Sequence, residues 1–407
     1  MFFILNPNMK IIKGIQRDVC HSLLDGNTYY FDNEYKDIVR MLVDRESIQE
    51  IKKQFDNRLV DEVKTFLVDK HIGIFDEKNN VYIPTINKSF FKDTDERMKK
   101  FEIYSVMIRL NTQCNLNCKY CRIEKNELIA PCMCFKSPMD SINPYLEDIV
   151  NQSLKLGVQR VELIGGEPFL NKEELYTVLN KFLGKEVQFL IYTNCILVNE
   201  EDVVELAKYN VYIVATVHTF EENNEKYVGQ DNEYTKLIKE KINLLIKYGL
   251  KFHIEFVVNK YNQKELKSTF LEKLMKQGCV QQKYLFPVSE YSVFDDNLIK
   301  TKVGNSVIEL ENYERAEHAN FCFRKGPFID VDGKIYPCIG LAKKEYCLGS
   351  IEDGLYMVYH AGKHKKYWNM SNEEDKECKD CAERLMCINC KAYKIRYGNK
   401  YNCINKK

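Results

Sequence analysis

The stretch IYSVMIRLNTQCNLNCKYC, Ile103 to Cys121, runs an apolar strand-like segment into a loop carrying three cysteines spaced C-x3-C-x2-C. A structural zinc site takes four protein ligands and a disulfide framework an even number of cysteines, so Cys114, Cys118 and Cys121 fit neither. Thiolates hold an iron-sulfur cluster with one ligand per iron, and three of them on a four-iron cube leave one iron open to an outside chelate.

Composition sets the background. The chain has 407 residues, more than one hydrophobic core usually organises, which predicts two or three domains. With 45% apolar and 29% charged residues it reads as globular. No run of about 18 apolar residues is present to cross a bilayer. The opening MFFILNPNMKII lacks the basic region and long apolar core of a secretory signal, so a cytoplasmic location is expected. In a reducing compartment the sixteen cysteines read as metal ligands or reactive thiols rather than disulfides. A formal net charge of +1 gives no general argument for nucleic acid or an anionic membrane as partner.

Outward from the cysteine loop, apolar runs alternate with helix-length segments. IYSVMIRL, VELI, VQFLIY, VYIVATV, FHIEFVV and KYLF are the strands; Tyr145 to Leu156, Lys172 to Phe182 and Tyr234 to Tyr248 are among the helices. Repeated strand-helix order predicts an α/β fold, a parallel sheet closing into a partial or full barrel with its chemistry at the carboxyl ends of the strands. The three cysteines lie just past the first strand, on that rim.

Before the barrel, CHSLLDGNTYYFD reads as a hairpin about Asp25-Gly26-Asn27. Helices are expected over Tyr35 to Leu42, Ser47 to Phe55 with Ser47 as cap, and Asp61 to Lys70, with GIFD and VYIP as a closing pair of strands. Together these make a winged-helix-like unit. The last stretch is cysteine-punctuated: Cys322, DGKIYPC ending at Cys338, CKDCAERLMCINC from Cys378 to Cys390, and Cys403. Alone, its C-x2-C pairs suit a zinc ribbon as well as a cluster.

The cysteine spacing after a first barrel strand resembles the radical S-adenosylmethionine enzymes, and the later strand ends extend the resemblance. It implies that Cys114, Cys118 and Cys121 hold a 4Fe-4S cluster whose open iron chelates S-adenosylmethionine, and that one electron from it yields a 5′-deoxyadenosyl radical. Tyr120 stands at the aromatic position before the third cysteine. Gly165-Gly166-Glu167-Pro168 follows VELI: the glycines allow close backbone approach to the cofactor, and Glu167 resembles the family's contact to the methionine amino group. Thr193 and Asn194 resemble the Thr-Asn-Gly rim, with Cys195 where glycine is usual. Thr216 and His218 stand where the family commonly has a serine and an acid; Thr216 keeps a hydroxyl for ribose or carboxylate.

The tail resembles the SPASM domain. The pattern implies that Cys378, Cys381, Cys387 and Cys403 close one auxiliary 4Fe-4S cluster and that Cys322, Cys338 and Cys390 hold another. Cys347 completes the second set, or its iron stays open to a substrate thiolate or amide; the open site is the expectation. Three clusters are expected in all.

The front unit resembles the peptide recognition element of natural-product maturases, where a leader peptide adds as a strand to an exposed edge beside a helix. The implied domains are 1–90, a winged-helix-like leader-recognition element; 91–304, a radical S-adenosylmethionine partial (β/α)6 barrel; and 305–407, a SPASM domain. The implied activity is maturation of a ribosomally made precursor peptide, most simply by a thioether crosslink, with an external flavodoxin- or ferredoxin-type reductant and neither nucleic acid nor membrane as partner. The front pattern loosely resembles the grasp-with-SPASM subgroup. Two other readings stay open: a sulfatase-maturing-type oxidase of a protein serine or cysteine, and a zinc-ribbon, winged-helix regulator that binds DNA.

Overall fold

A computed structural model describes residues 1–78, 103–118, 121, 142–229, 233–257, 261–262, 264–265, 273–274, 282–285, 317, 319–385, 387 and 391–397. By contacts the chain forms two compact units, Met1–Phe101 with Val303–Phe321 and Lys366–Asn389, and Glu102–Lys302 with Cys322–Lys365 and Cys390–Lys407.

In the first unit, β1 (Phe2–Leu5) pairs antiparallel with β5 (Gly73–Asp76), while β2 (Met9–Ile12), β3 (Arg17–Ser22) and β4 (Thr28–Asp32) form an antiparallel sheet with β3 in the middle. The β3–β4 hairpin turns through Gly26 at φ +73°, where a residue without Cβ is favoured. Helices α1 (Asn33–Val43), α2 (Ile48–Ile51) and α3 (Asn57–Asp69) turn Ile38, Val39, Leu42, Ile51, Val60, Val63 and Leu67 into one core with Phe3, Cys20 and Phe31. Ser47 caps α2 as expected, its hydroxyl accepting from Glu50 N. The helix is shorter than the sequence pattern, because beyond Ile51 the chain tightens into turns such as Lys53 N to Glu50 O and Gln54 N to Ile51 O. α3 begins earlier than periodicity indicated because the Asp56 carboxylate caps it at Arg58 N, 2.8 Å away. GIFD is a strand, but its partner is β1; VYIP lies outside the described residues.

Among the described residues the second unit carries a nine-stranded sheet in the order β11-β10-β9-β8-β7-β6-β12-β13-β14. Six strands, β6 (Ser105–Arg109), β7 (Arg160–Ile164), β8 (Gln188–Thr193), β9 (Val211–Val217), β10 (Phe252–Val257) and β11 (Gln282–Leu285), are parallel and in sequence order. They are the six apolar runs of the sequence. The intervening α4 (Leu146–Lys155), α5 (Lys172–Lys181), α6 (Glu200–Leu206) and α7 (Tyr234–Lys247) keep the strand-helix alternation. On the other edge, β12 (Phe328–Ile329) adds parallel to β6, and β13 (Lys334–Tyr336) and β14 (Gly349–Ser350) follow antiparallel.

Successive side chains of a strand alternate between faces. The register therefore puts Val161, Leu163, Phe189, Ile191, Ile213 and Ala215 on one apolar face, and Arg109, Glu162, Ile164, Tyr192, Thr216 and Glu255 on the other. A filled barrel interior is dominated by branched apolar residues. This second face instead carries buried charge, with Glu162 hydrogen-bonded from Tyr192 Oη at 3.1 Å and Arg109 paired with Asp330 at 2.9 Å.

Candidate functional site: the cysteine loop and the strand ends

Three neighbouring segments hold the cysteine loop. The chain leaves β6 through Asn111, fully buried, whose side-chain amide donates to Glu167 O at 2.9 Å and to Asn171, while its Oδ1 accepts from Gly166 N at 3.1 Å. Glu167 N then donates to Gln113 O at 2.7 Å. A Cβ on Gly166 would fall 2.1 Å from Gln113 O, and one on Gly165 2.5 Å from Asn111 Oδ1. The paired glycines are thus needed for the protein's own packing, since the backbone leaving β7 lies directly on the segment entering the cysteine loop. On a second side, the side-chain amide of Asn194, past the end of β8, donates to Asn115 Oδ1 at 2.8 Å and lies 3.9 Å from Cys114 Sγ. On the third, Asn117 N donates to Val228 O at 3.2 Å, and Gly229, at φ +72°, brings its backbone against Asn117.

Cys114, Cys118 and Cys121 are all partly exposed and reduced, and Leu116 N–H points at Cys114 Sγ from 3.4 Å. Cys121 packs against the apolar cluster of Ile164, Phe328, Tyr336 and Ile339. Accessible thiols with amide donors aimed at a sulfur suit thiolate ligands, so this donor set fits an iron-sulfur cluster. Among the described residues, no three His, Cys, Asp or Glu side chains are grouped as a single metal ion would require.

Glu167 is 1% exposed, and the donors around it belong to the protein: Phe169 N at 3.0 Å, Thr193 Oγ1 at 2.7 Å and Asn194 N at 2.8 Å. Burial pushes its carboxyl up to about 7, against the downward pull of those hydrogen bonds. The carboxylate ties the end of β7 to the end of β8. Pro168 opens the turn that Glu167 caps. Cys195, in place of the family's glycine, keeps a left-handed backbone at φ +63° with its side chain fully buried, and burial pushes its thiol well up. Thr216 is half-buried on the charged face of the sheet, in register with Glu255. His218 is buried against the Tyr234 ring, and burial lowers its imidazole to about 4, so it is neutral at pH 7.

Sequence reasoning missed Asn111 and Glu265. The buried Glu265 organises the chain after β9 by accepting from Thr219 Oγ1 at 2.7 Å and from Phe220 N and Asn224 Nδ2 at 2.6 Å each. It also missed Arg109, Glu162 and Glu255, whose signal is a charge inside an otherwise apolar strand.

Of the later cysteines, Cys338 follows β13 after Pro337, and the chain returns through short helical turns to Cys347 before pairing β14 with β13. Cys347 is partly buried in the same apolar cluster as Cys121, its Sγ donating to Gly349 O at 3.3 Å. Cys378, Cys381 and Cys387 lie in the other unit on consecutive turns, Cys381 N donating to Cys378 O at 2.9 Å and Cys387 N to Glu383 O at 2.8 Å. Tyr120, Cys390 and Cys403 lie outside the described residues.

Comparison with known proteins agrees with this geometry. Residues 108–272 match the radical SAM superfamily and residues 321–382 the SPASM iron-sulfur cluster-binding domain. A cysteine-type anaerobic sulfatase-maturating enzyme of Clostridium novyi is 22% identical over 325 residues, 68% of this chain and 84% of that protein. A probable GTP 3′,8-cyclase of Methanococcus aeolicus is 24% identical over 225 residues, 53% and 69% of the two chains. Among solved structures, Streptococcus suis SuiB bound to its precursor peptide SuiA aligns over 98% of this chain and 97% of its own, with TM-score 0.54 and 14% identity. The sulfatase-maturating enzyme anSMEcpe with AdoMet and the Cp18Cys peptide aligns over 70% and 87%, with TM-score 0.53 and 18% identity. At these identities the structures establish the fold. Residues 108–272 are a radical SAM domain, residues 321–382 are a SPASM domain, and the chain is a radical SAM enzyme built from both.

Proposed function

We propose that this enzyme modifies a ribosomally made precursor peptide, bound through its leader by residues 1–90, and that the modification is most simply a thioether crosslink. In this reading residues 91–304 carry the radical chemistry and residues 305–407 the auxiliary clusters. The observation that carries it is the edge strand of the first unit. Among the described residues β4 ends the three-stranded sheet, and α3 runs beside it with Phe66 edge-on to Tyr29 and Phe31, each 6.0 Å between ring centres. Tyr29 and Phe66 are only partly buried where strand and helix meet. An unpaired strand edge next to an apolar, aromatic groove accepts an extended peptide, the main chain supplying hydrogen bonds and the groove supplying register. The fold shared with SuiB over nearly the whole chain, solved with its precursor peptide, supports the same reading.

The chain's residues divide the work. Cys114, Cys118 and Cys121 would hold the cluster that, when bound and reduced, splits S-adenosylmethionine to a 5′-deoxyadenosyl radical. Gly165 and Gly166 shape the rim, with Thr193, Asn194 and Thr216 offering polar groups to the nucleoside and methionine ends. One lone-pair direction of Glu167 remains for a cationic amino group after its three internal donors. The charged sheet face with Glu162, Tyr192 and Glu255 lines the substrate side, where a reacting thiol must lose its proton. Cys322, Cys338 and Cys390 would hold one auxiliary cluster, with Cys347 beside it, and Cys378, Cys381, Cys387 and Cys403 the other. An external flavodoxin- or ferredoxin-type protein would supply the electron.

The test is direct. A synthetic copy of a short cysteine-containing peptide encoded beside the gene should bind the full-length protein, and Phe66→Ala, which empties the groove between α3 and β4, should weaken it at least tenfold while S-adenosylmethionine cleavage without peptide continues. Equal affinity in that variant contradicts the assigned groove.

A further inference from the structure

The C-terminal cysteine segment is walled by the loop joining β2 to β3. Ile15 N donates to Asp380 O at 3.0 Å, and Arg384 Nη1 donates both to Lys13 O and to Cys381 O at 2.9 Å. Gly14 permits the approach, since a Cβ there would sit 2.7 Å from Ala382 N and 2.6 Å from Arg17 O. At the centre is Glu383. One carboxylate oxygen forms an ion pair with Arg17, 366 residues away in sequence, and the other lies 3.3 Å from Cys381 Sγ. The Arg17 guanidinium is steadied over the Tyr30 ring, 4.6 Å from its centre.

As a thiol, Cys381 donates to Glu383. As a thiolate ligand it cannot, and two anions at that separation repel unless a cation is in contact. The structure puts Arg17 there. We infer that Arg17 is a positioning residue for the cluster held by Cys378, Cys381 and Cys387: by neutralising Glu383 it raises the cluster's reduction potential and helps retain its iron. The amino-terminal unit thereby tunes a cluster whose ligands lie at the other end of the chain. Reduction adds one negative charge, so an uncompensated carboxylate beside a ligand disfavours the reduced form, and removing that carboxylate favours it. This rests on the reading that the three cysteines bind a cluster, and not on the identity of any peptide.

The experiment is a redox titration of the anaerobically reconstituted full-length protein, each reduced cluster followed by electron paramagnetic resonance. Arg17→Gln should lower the midpoint of one cluster and Glu383→Gln should raise the same one. Arg17→Lys should stay near the parent, and the double variant Arg17→Gln with Glu383→Gln, which removes both charges, should return the midpoint to near the parent value. Iron release to a chelator should be several-fold faster in Arg17→Gln alone. A purely structural contact would give shifts of one sign or none. Unmoved midpoints, or a double variant as far below the parent as Arg17→Gln alone, overturn the inference. Cys378→Ala should remove the signal that moves; if its iron content equals the parent's, the site holds no cluster and both the inference and the reading beneath it fall.

Discussion

The two cysteine-bearing regions are built on different physics. The loop from Cys114 to Cys121 is held by close backbone packing and neutral amides: Gly166 against Gln113, Gly229 against Asn117, main-chain hydrogen bonds from the end of β7 and the loop after β9, and the Asn194 side chain on Asn115. The segment from Cys378 to Cys387 has such contacts too, Ile15 N on Asp380 O and Gly14 against Ala382, but adds charged side chains, Arg17 with Glu383 and Arg384 with the carbonyl of Lys13. In the proposed reading the first site presents an open iron to a nucleoside, and the contacts that hold it are neutral. In the same reading the second site passes an electron, and a charged pair beside it can tune its potential.

The sharpest break of this contrast is at Gly166. Alanine there must push its Cβ into the Gln113 carbonyl, 2.1 Å away, which costs about 3 kcal/mol in strain. 5′-Deoxyadenosine production should fall at least tenfold, with the tail clusters still visible by spectroscopy. Retained cleavage would show that the loop adapts and that backbone fit is not what holds it.

Glu167 sharpens the same side. Glu167→Gln turns one oxygen into an NH2 facing a donor, either Asn194 N or Thr193 Oγ1, and should cost about 1–3 kcal/mol of stability in urea unfolding. The pH profile separates this from general damage. Because the folded carboxyl sits at about 7 and the ordinary value is 4.5, the native state holds the extra proton between them. Stability should therefore fall as pH rises from about 4.5 to about 7, by about 3 kcal/mol at full extent, and level off above. The glutamine variant should lack that slope.

The smallest effect is expected at Cys195. Its left-handed backbone costs about 1 kcal/mol in a residue with a Cβ, and its fully buried side chain gives back a comparable amount. Cys195→Gly should lie within about 1 kcal/mol of the parent and stay active, whereas the β-branched Cys195→Val should be clearly destabilised.

These cases show what the sequence could and could not disclose. The six parallel strands were legible because each is a short apolar run between helix-length segments, and the barrel-rim triplet because its spacing is specific. The Gly-Gly-Glu turn was legible as a turn at the end of the second parallel strand but not in its internal role: that Glu167 joins two strand ends depends on Thr193 and Asn194 arriving from the next strand, which spacing does not encode. Cys195 concealed its backbone, since a residue with a Cβ carries no mark of φ +63°. The pairing of Arg17 with Glu383 had no local trace at all, because two charges hundreds of residues apart meet only through the tertiary fold.

The most direct measurement replaces Cys114, Cys118 and Cys121 together by alanine in the full-length protein and follows iron content and 5′-deoxyadenosine formation after anaerobic reconstitution. If the rim triplet holds the radical-generating cluster, about a third of the iron and all of the cleavage disappear while the auxiliary-cluster spectra persist, one four-iron cluster of three being removed. Undiminished 5′-deoxyadenosine in that variant would place the radical chemistry elsewhere and contradict the account.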